Sequence, residues 1–260
     1  MKQVNTQNIR EVILRSSHAS GHGHIPTSFS IIEMVIAAYG TMKHDPENPE
    51  WEVRDIFILS KAHASLGYYG CLAEIGYFDA EELKQFGHAG TRFGCHPDRI
   101  KQPWVEVSCG SLGHGVAVGV GMALAFKIQK SSRKVIALVG DGESNEGSVW
   151  ESAMIAANEK LDNYTILYDH NQSQTRCLQI DNPGERFKAF GFNVLEVDGH
   201  DIVAVSEALQ AQPENGKPLC IVCNTTKGYG CKTLVENKFA WHRRSPNEEE
   251  LNQLIEELYA

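Results

Sequence analysis

The chain has 260 residues, 42% of them hydrophobic, and 33 acidic against 24 basic side chains give it a formal charge of −9. That is enough chain for a sizeable core, and an acidic balance without a lysine- and arginine-rich stripe argues against nucleic-acid binding. No apolar run approaches the roughly 20 residues of a membrane-spanning helix and the start Met1-Lys-Gln-Val-Asn lacks a signal-peptide core, so a cytoplasmic protein without a membrane partner is expected.

A helix is predicted near residues 4–17, followed by Ser20-Gly-His-Gly-His24-Ile-Pro-Thr-Ser-Phe-Ser30. A metal site built from His18, His22 and His24 is conceivable, but no cysteine or carboxylate stands at ligand spacing. Imidazoles near neutrality suit contact with a hydroxyl-rich substrate better. A helix over 28–42 precedes a strand near 55–60, which runs into Leu59-Ser-Lys-Ala-His63 and a helix over 63–76. His88 to Cys109 has little periodicity; a loop of that length is usually functional, and it carries Gly94-Cys-His96-Pro97. The small-residue loop Ser108-Cys-Gly-Ser-Leu-Gly-His-Gly115 leads into a helix over 112–129.

Lys134-Val-Ile-Ala-Leu-Val-Gly140 has the continuous apolar character of a strand covered on both faces. It delivers Asp141 and Gly142 to a strand end, where Glu143 to Glu146 reads as a polar turn before a helix over 147–160. Tyr164-Thr-Ile-Leu-Tyr168 is a second strand, over 164–169, and it delivers Asp169, His170, Asn171 and Gln172. The unit between is a βαβ crossover, so the two strands should be parallel neighbours. Asp141 and Asn171 then form a pair of hard oxygen donors. With a backbone carbonyl near Ser173 they make a sensible protein share of a magnesium site beside a diphosphate, which the following helix start would favour.

Further strands are predicted near 192–197 and 217–224, and helices over 201–211 and 247–258. His200 reads as a turn element, with Asp201 as the capping acceptor of the helix after it. The seven cysteines, at 71, 95, 109, 177, 220, 223 and 231, form no disulfide framework and should be reduced. Cys220 and Cys223 match C-x-x-C but lie in a strand, where residues three apart face opposite ways; core packing accounts for them better than zinc or redox chemistry. Alternating strands and helices predict an α/β fold, a doubly wound, mostly parallel sheet with helices on both faces, in a single domain over residues 1–260.

Gly140-Asp141-Gly142 followed by Asn171 resembles the thiamine-diphosphate fingerprint, and nearly the whole chain resembles the amino-terminal part of transketolase. The Gly-His loop at 20–30, Leu59 to Ser65, Gly94 to Pro97, Ser108 to Gly115, Lys227-Gly-Tyr-Gly230 and Trp241-His242 are similar to family segments in the same order. The resemblance implies that Asp141, Asn171 and the carbonyl of Ser173 hold Mg2+, or another divalent cation such as Ca2+ or Mn2+. Thiamine diphosphate would meet His63, Gly110, Ser111, Leu112, Gly140, Asp141, Gly142, Glu143 and Asn171. His24, His63, His96 and His242 would be catalytic, with His114 in the cofactor's surroundings and Glu146 and Glu151 near a subunit interface.

The implied reaction is transfer of a two-carbon ketol unit from a ketose, or its phosphate, to an aldose. The family's pyrimidine-type domain, which activates the cofactor ring, has no counterpart in this sequence. A split enzyme is expected, with that domain on a partner, the C-terminal transketolase subunit, in a heterotetramer. A deoxyxylulose-phosphate-synthase-like subunit or a catalytically idle regulatory homologue are the alternatives. Arg243 and Arg244 follow His242, where smaller residues are usual in the family, and either could meet an anionic sugar.

Overall fold

Five short strands form the middle of the computed structural model, which describes residues 4–176, 178–211 and 216–260. They are β1 (Ile56–Leu59), β2 (Val135–Gly140), β3 (Tyr164–His170), β4 (Asn193–Asp198) and β5 (Leu219–Asn224). All pairings are parallel, in the order β1-β2-β3-β5-β4. The expected neighbours β2 and β3 are in register from Val135 opposite Tyr164 to Gly140 opposite Asp169, so Asp141 leaves the sheet beside the end of β3.

Side chains alternate between two apolar clusters, one on each face. Phe57, Leu138, Leu167 and Cys223 belong to the first; Ile58, Val139, Ile166 and Cys220 belong to the second. Cys220 and Cys223 thus face opposite ways, as strand geometry requires; Cys177 lies outside the described residues. The first face is covered by α1 (Thr6–Ser20), α3 (Ile32–Thr41), α4 (Ser65–Ile75), α8 (Ile202–Gln210) and α10 (Glu248–Tyr259). The second is covered by α5 (His114–Ile128), α6 (Gly147–Asn158) and α7 (Pro183–Phe190). This is the doubly wound α/β arrangement, and its sheet is entirely parallel among the described residues.

Three local differences from the periodicity have physical causes. The helix predicted over 28–42 is two pieces, α2 (Ile25–Phe29) and α3, and it begins earlier because Pro26 is well suited to a first turn. The break falls at Ser30, whose hydroxyl donates to Thr27 O (3.0 Å) and to Asp169 (2.8 Å). A 3-10 turn, Ala62–Ala64, carries His63 ahead of α4. α7 and the five-residue α9 (Lys232–Glu236) are too short for a 3.6-residue period to register. The long 88–109 stretch is irregular, as expected, and is anchored where Phe93 and Trp104 pack with Phe78 and Arg92 lies over the Trp104 ring (4.8 Å).

Candidate active site

The site forms at the carboxyl ends of β2 and β3. Asp141, 1% exposed, accepts from Gly142 N through one oxygen (2.6 Å) and from Ser173 N through the other (2.8 Å). Asn171, 2% exposed, donates through Nδ2 to Asp169 (2.8 Å) and Ser30 (3.2 Å), which turns its carbonyl oxygen to Ser173 N (3.0 Å) and the Ser173 hydroxyl. Asp141 Oδ2 and Asn171 Oδ1 therefore converge on one backbone N–H, as expected from their places at neighbouring strand ends.

The surrounding charge favours a cation there. Burial, and then the nearby Asp169 carboxylate, push the Asp141 carboxyl up against the pull of Lys61 and the two N–H groups. Asp169 is wholly buried and burial works against its charge, but the Lys61 ammonium and hydrogen bonds from Lys61, Thr225 and Ser30 hold it below the usual carboxylate range. Lys61 is thus committed to Asp169, and no side chain forms an ion pair with Asp141 among the described residues. A buried carboxylate without a paired cation, aimed at an amide oxygen, fits an oxygen-preferring divalent ion.

Glu143 is a correction to the polar turn read from sequence. It is 2% exposed and accepts from Ser60 Oγ (2.5 Å), Gly113 N (2.9 Å) and Gly140 N (3.0 Å), joining the end of β1, the loop before α5 and the end of β2. Burial raises its pKa despite these donors. Ser144 is buried as well, and only Asn145 and Glu146 face out.

Two adjoining cavities, of about 320 and 480 Å³, open above the strand ends and share His24, His63 and Leu112. The first is lined by Gly140, Asp141, Gly142, Glu143, Ser173 and His242. The second reaches His96, Gly110, Cys95, His22 and Arg243. His24 lies 5.2 Å from His63 and 5.3 Å from His242, ring centre to ring centre. Burial, then the neighbouring His242 and Arg243, bring His24 down to about 4. His63 falls well below its ordinary value through burial and Lys61, and His96 and His242 fall in the same direction, burial again leading. All four are neutral bases at neutral pH, able to accept or relay a proton.

Some of the other residues fall differently from expectation. His114 is exposed at the first position of α5, outside both linings, so its placement in the cofactor's surroundings is not seen; a helix start next to a tight glycine turn points it outward. Ser111 is also exposed and outside the linings. His22 sits 3.4 Å from Cys95 Sγ. Asp201 caps α8 as expected, accepting from Val203 and Ala204 N. His200 does more than turn the chain, since it bonds to Glu33 and to Thr226 N. Arg244 is engaged with Glu250 and lies 4.0 Å over Trp241.

Sequence reasoning missed Lys61, Asp169 and the role of Lys227. Lys227 is 2% exposed, reaches Ser173 Oγ (2.9 Å) and His242 Nδ1 (3.1 Å), and is lowered to about 8 by burial and by Lys61. The available signal was a charge placed at each apolar strand end, Lys61 after β1 and Asp169 late in β3, since buried charges must pair.

The family described as "Transketolase, thiamine diphosphate binding domain" matches residues 1–258. An apulose-4-phosphate transketolase subunit from Actinobacillus succinogenes is 39% identical, covering 96% of this chain and 92% of its own length. The 6-deoxy-6-sulfo-D-fructose transketolase subunit SqwG of Clostridium sp. (strain MSTE9) is 37% identical, with 96% and 93% covered. The crystal structure of transketolase from Campylobacter jejuni superposes with a TM-score of 0.83 at 29% identity; 98% of this chain is covered, which spans only 42% of that chain.

Proposed function

This chain belongs to the transketolase thiamine-diphosphate-binding family, and from that premise we propose that it is the amino-terminal subunit of a two-chain transketolase, which moves a two-carbon ketol unit reversibly from a ketose to an aldose. The observation that carries the reading is the convergence of Asp141 Oδ2 and Asn171 Oδ1 beneath the His24–His63–His242 cluster. Thiamine diphosphate, when bound, supplies the nucleophilic carbon and the electron sink for the two-carbon unit. Asp141, Asn171 and the Ser173 main chain would hold Mg2+, or Ca2+ or Mn2+ in its place, against the diphosphate.

The chain's own residues divide the remaining work. His63 lines the first cavity and Lys227 stands behind it, bonded to Ser173 and His242 of that lining, while Gly110 and Leu112 present main chain to the cofactor at the second. His24, His96 and His242, neutral at working pH, bind sugar hydroxyls and move protons to and from the reacting oxygens. The named substrates of the two subunit relatives are a sugar phosphate and a sulfo-sugar, and Arg243, at the cavity mouth, is placed to meet an anionic ketose.

A partner chain would complete the site with the pyrimidine-type domain, two of each chain forming a heterotetramer in the cytoplasm. Support comes from coverage: the chain spans nearly all of the subunit relatives and under half of the full-length enzyme. No helix among the described residues is long and apolar enough to cross a membrane. Mixing the purified chain with its complementary subunit, Mg2+ and thiamine diphosphate tests the proposal. Transfer from xylulose 5-phosphate to an aldose phosphate should need both chains; pyruvate consumption without ketol transfer, or turnover by this chain alone, would overturn it.

A further inference from the structure

Lys227 lies on residues 225–231, between β5 and α9, which have no ladder of their own to fix them. A buried network does so from behind. Glu33 on α3 pairs through one oxygen with Arg10 of α1 (2.7 Å) and through the other with His200 Nδ1 (3.2 Å). All three side chains are less than a tenth exposed. Thr226 N donates to His200 Nε2 (2.8 Å), the His200 ring stacks on Tyr229 at 3.7 Å, and Arg10 Nε donates to Tyr229 O (2.9 Å). Gly228 N adds a bond to Pro26 O (3.0 Å), two residues from His24.

The neighbours dictate the form of the ring. A backbone N–H can only donate, so His200 Nε2 must be the bare acceptor, and Nδ1 carries the hydrogen given to Glu33. The imidazole is then a neutral strut with both nitrogens used, linking a buried carboxylate to the residue before Lys227. Close packing leaves no slack: a Cβ on Gly230 would come 2.9 Å from Arg10 Cδ, at φ +97°.

We propose that His200, braced by Glu33 and Arg10, is a positioning residue that fixes the 225–231 segment and so aims Lys227 at Ser173 and His242. The step from a fixed Lys227 to cofactor binding rests on the function proposed above; the fixing itself does not.

Two readouts on the two-chain complex test it: amide hydrogen exchange, and calorimetric titration with thiamine diphosphate and Mg2+. His200→Phe keeps an aromatic stack on Tyr229 and loses both hydrogen bonds. It should speed exchange at Thr226 and its neighbours roughly tenfold, the worth of about one hydrogen bond, and weaken cofactor binding by a similar factor, while β2 and β3 amides keep their protection. His200→Gln, whose amide oxygen can still accept from Thr226, should restore both. Unchanged Thr226 exchange in His200→Phe, or loss of protection spread equally over β2 and β3, would overturn the proposal. Should His200→Phe fail to fold, Gln against the shorter Asn decides, equal Thr226 protection in the two overturning it. Failure of the wild-type complex to bind the cofactor would count against the functional reading alone, because the exchange comparison stands without it.

Discussion

Asp141 is held ionised at a cost, because burial and Asp169 both disfavour its charge. Its folded pKa lies above the unfolded value, so at neutral pH the carboxylate subtracts from stability, and the deficit fades as pH falls through the folded pKa. Without a divalent cation, Asp141→Asn should therefore melt at the same or a higher temperature than wild type. With Mg2+ and thiamine diphosphate the order should reverse, with affinity down by more than ~100-fold, since even second-shell ligand partners are worth 10–100-fold; scanning calorimetry with and without ligands checks both signs. His24 runs the other way along pH. Its folded value of about 4 lies below the ordinary 6.5, so stability is undiminished above pH 6.5 and is lost as pH falls toward 4. His63, His96 and His242 add to the same acid limb. The drop to about 4 makes His24 a main contributor, the more exposed His96 and His242 being screened by water, so urea midpoints at pH 7 and pH 5 should differ less in His24→Asn than in wild type. The same substitution should lower the reconstituted rate by about 10²–10⁴, with an unchanged rate refuting a proton-transfer role.

At the level of elements, the ends of strands and starts of helices are locked together so tightly that small residues are required. A Cβ on Gly115, in the first turn of α5, would sit 2.7 Å from Ser60 Oγ and 2.8 Å from Ser60 Cα, and Ser60 in turn donates to Glu143. Gly115→Ala should cost about 1–3 kcal/mol through overpacking, seen as a lower urea midpoint, and should disturb the site because it pries at the Ser60–Glu143–Gly113 link. A midpoint equal to wild type would show that α5 has room to shift. Four of the strands were legible because each is a short run of mostly apolar residues buried on both faces, the edge strand β4 by its Val194, Leu195 and Val197 alone, and the site motifs because Asp141 and Asn171 sit where β2 and β3 stop. Short elements were not, α9 offering fewer than two turns of pattern. Nor were Lys61, Asp169 and Glu143 in their roles: a charge reads as surface unless its partner is known, and their partners are 108 and 83 residues away in the chain.

For the molecule as a whole, the parallel sheet gathers four separated histidine segments and two oxygen donors at one edge, where a diphosphate and a sugar would meet. On the proposed reading the ring-activating half of the chemistry would come from a partner chain, in keeping with a match to only 42% of the Campylobacter jejuni enzyme. The arrangement stands or falls on what occupies the space between Asp141 and Asn171. Crystals of the two-chain complex grown with Mn2+ and thiamine diphosphate, measured at the manganese edge, answer this directly. An anomalous peak is expected about 2.0–2.2 Å from an Asp141 carboxylate oxygen and from Asn171 Oδ1, with the Ser173 main chain turned toward it. Bound cofactor with the manganese elsewhere, or with Asp141 and Asn171 still closed on the Ser173 N–H, would contradict it.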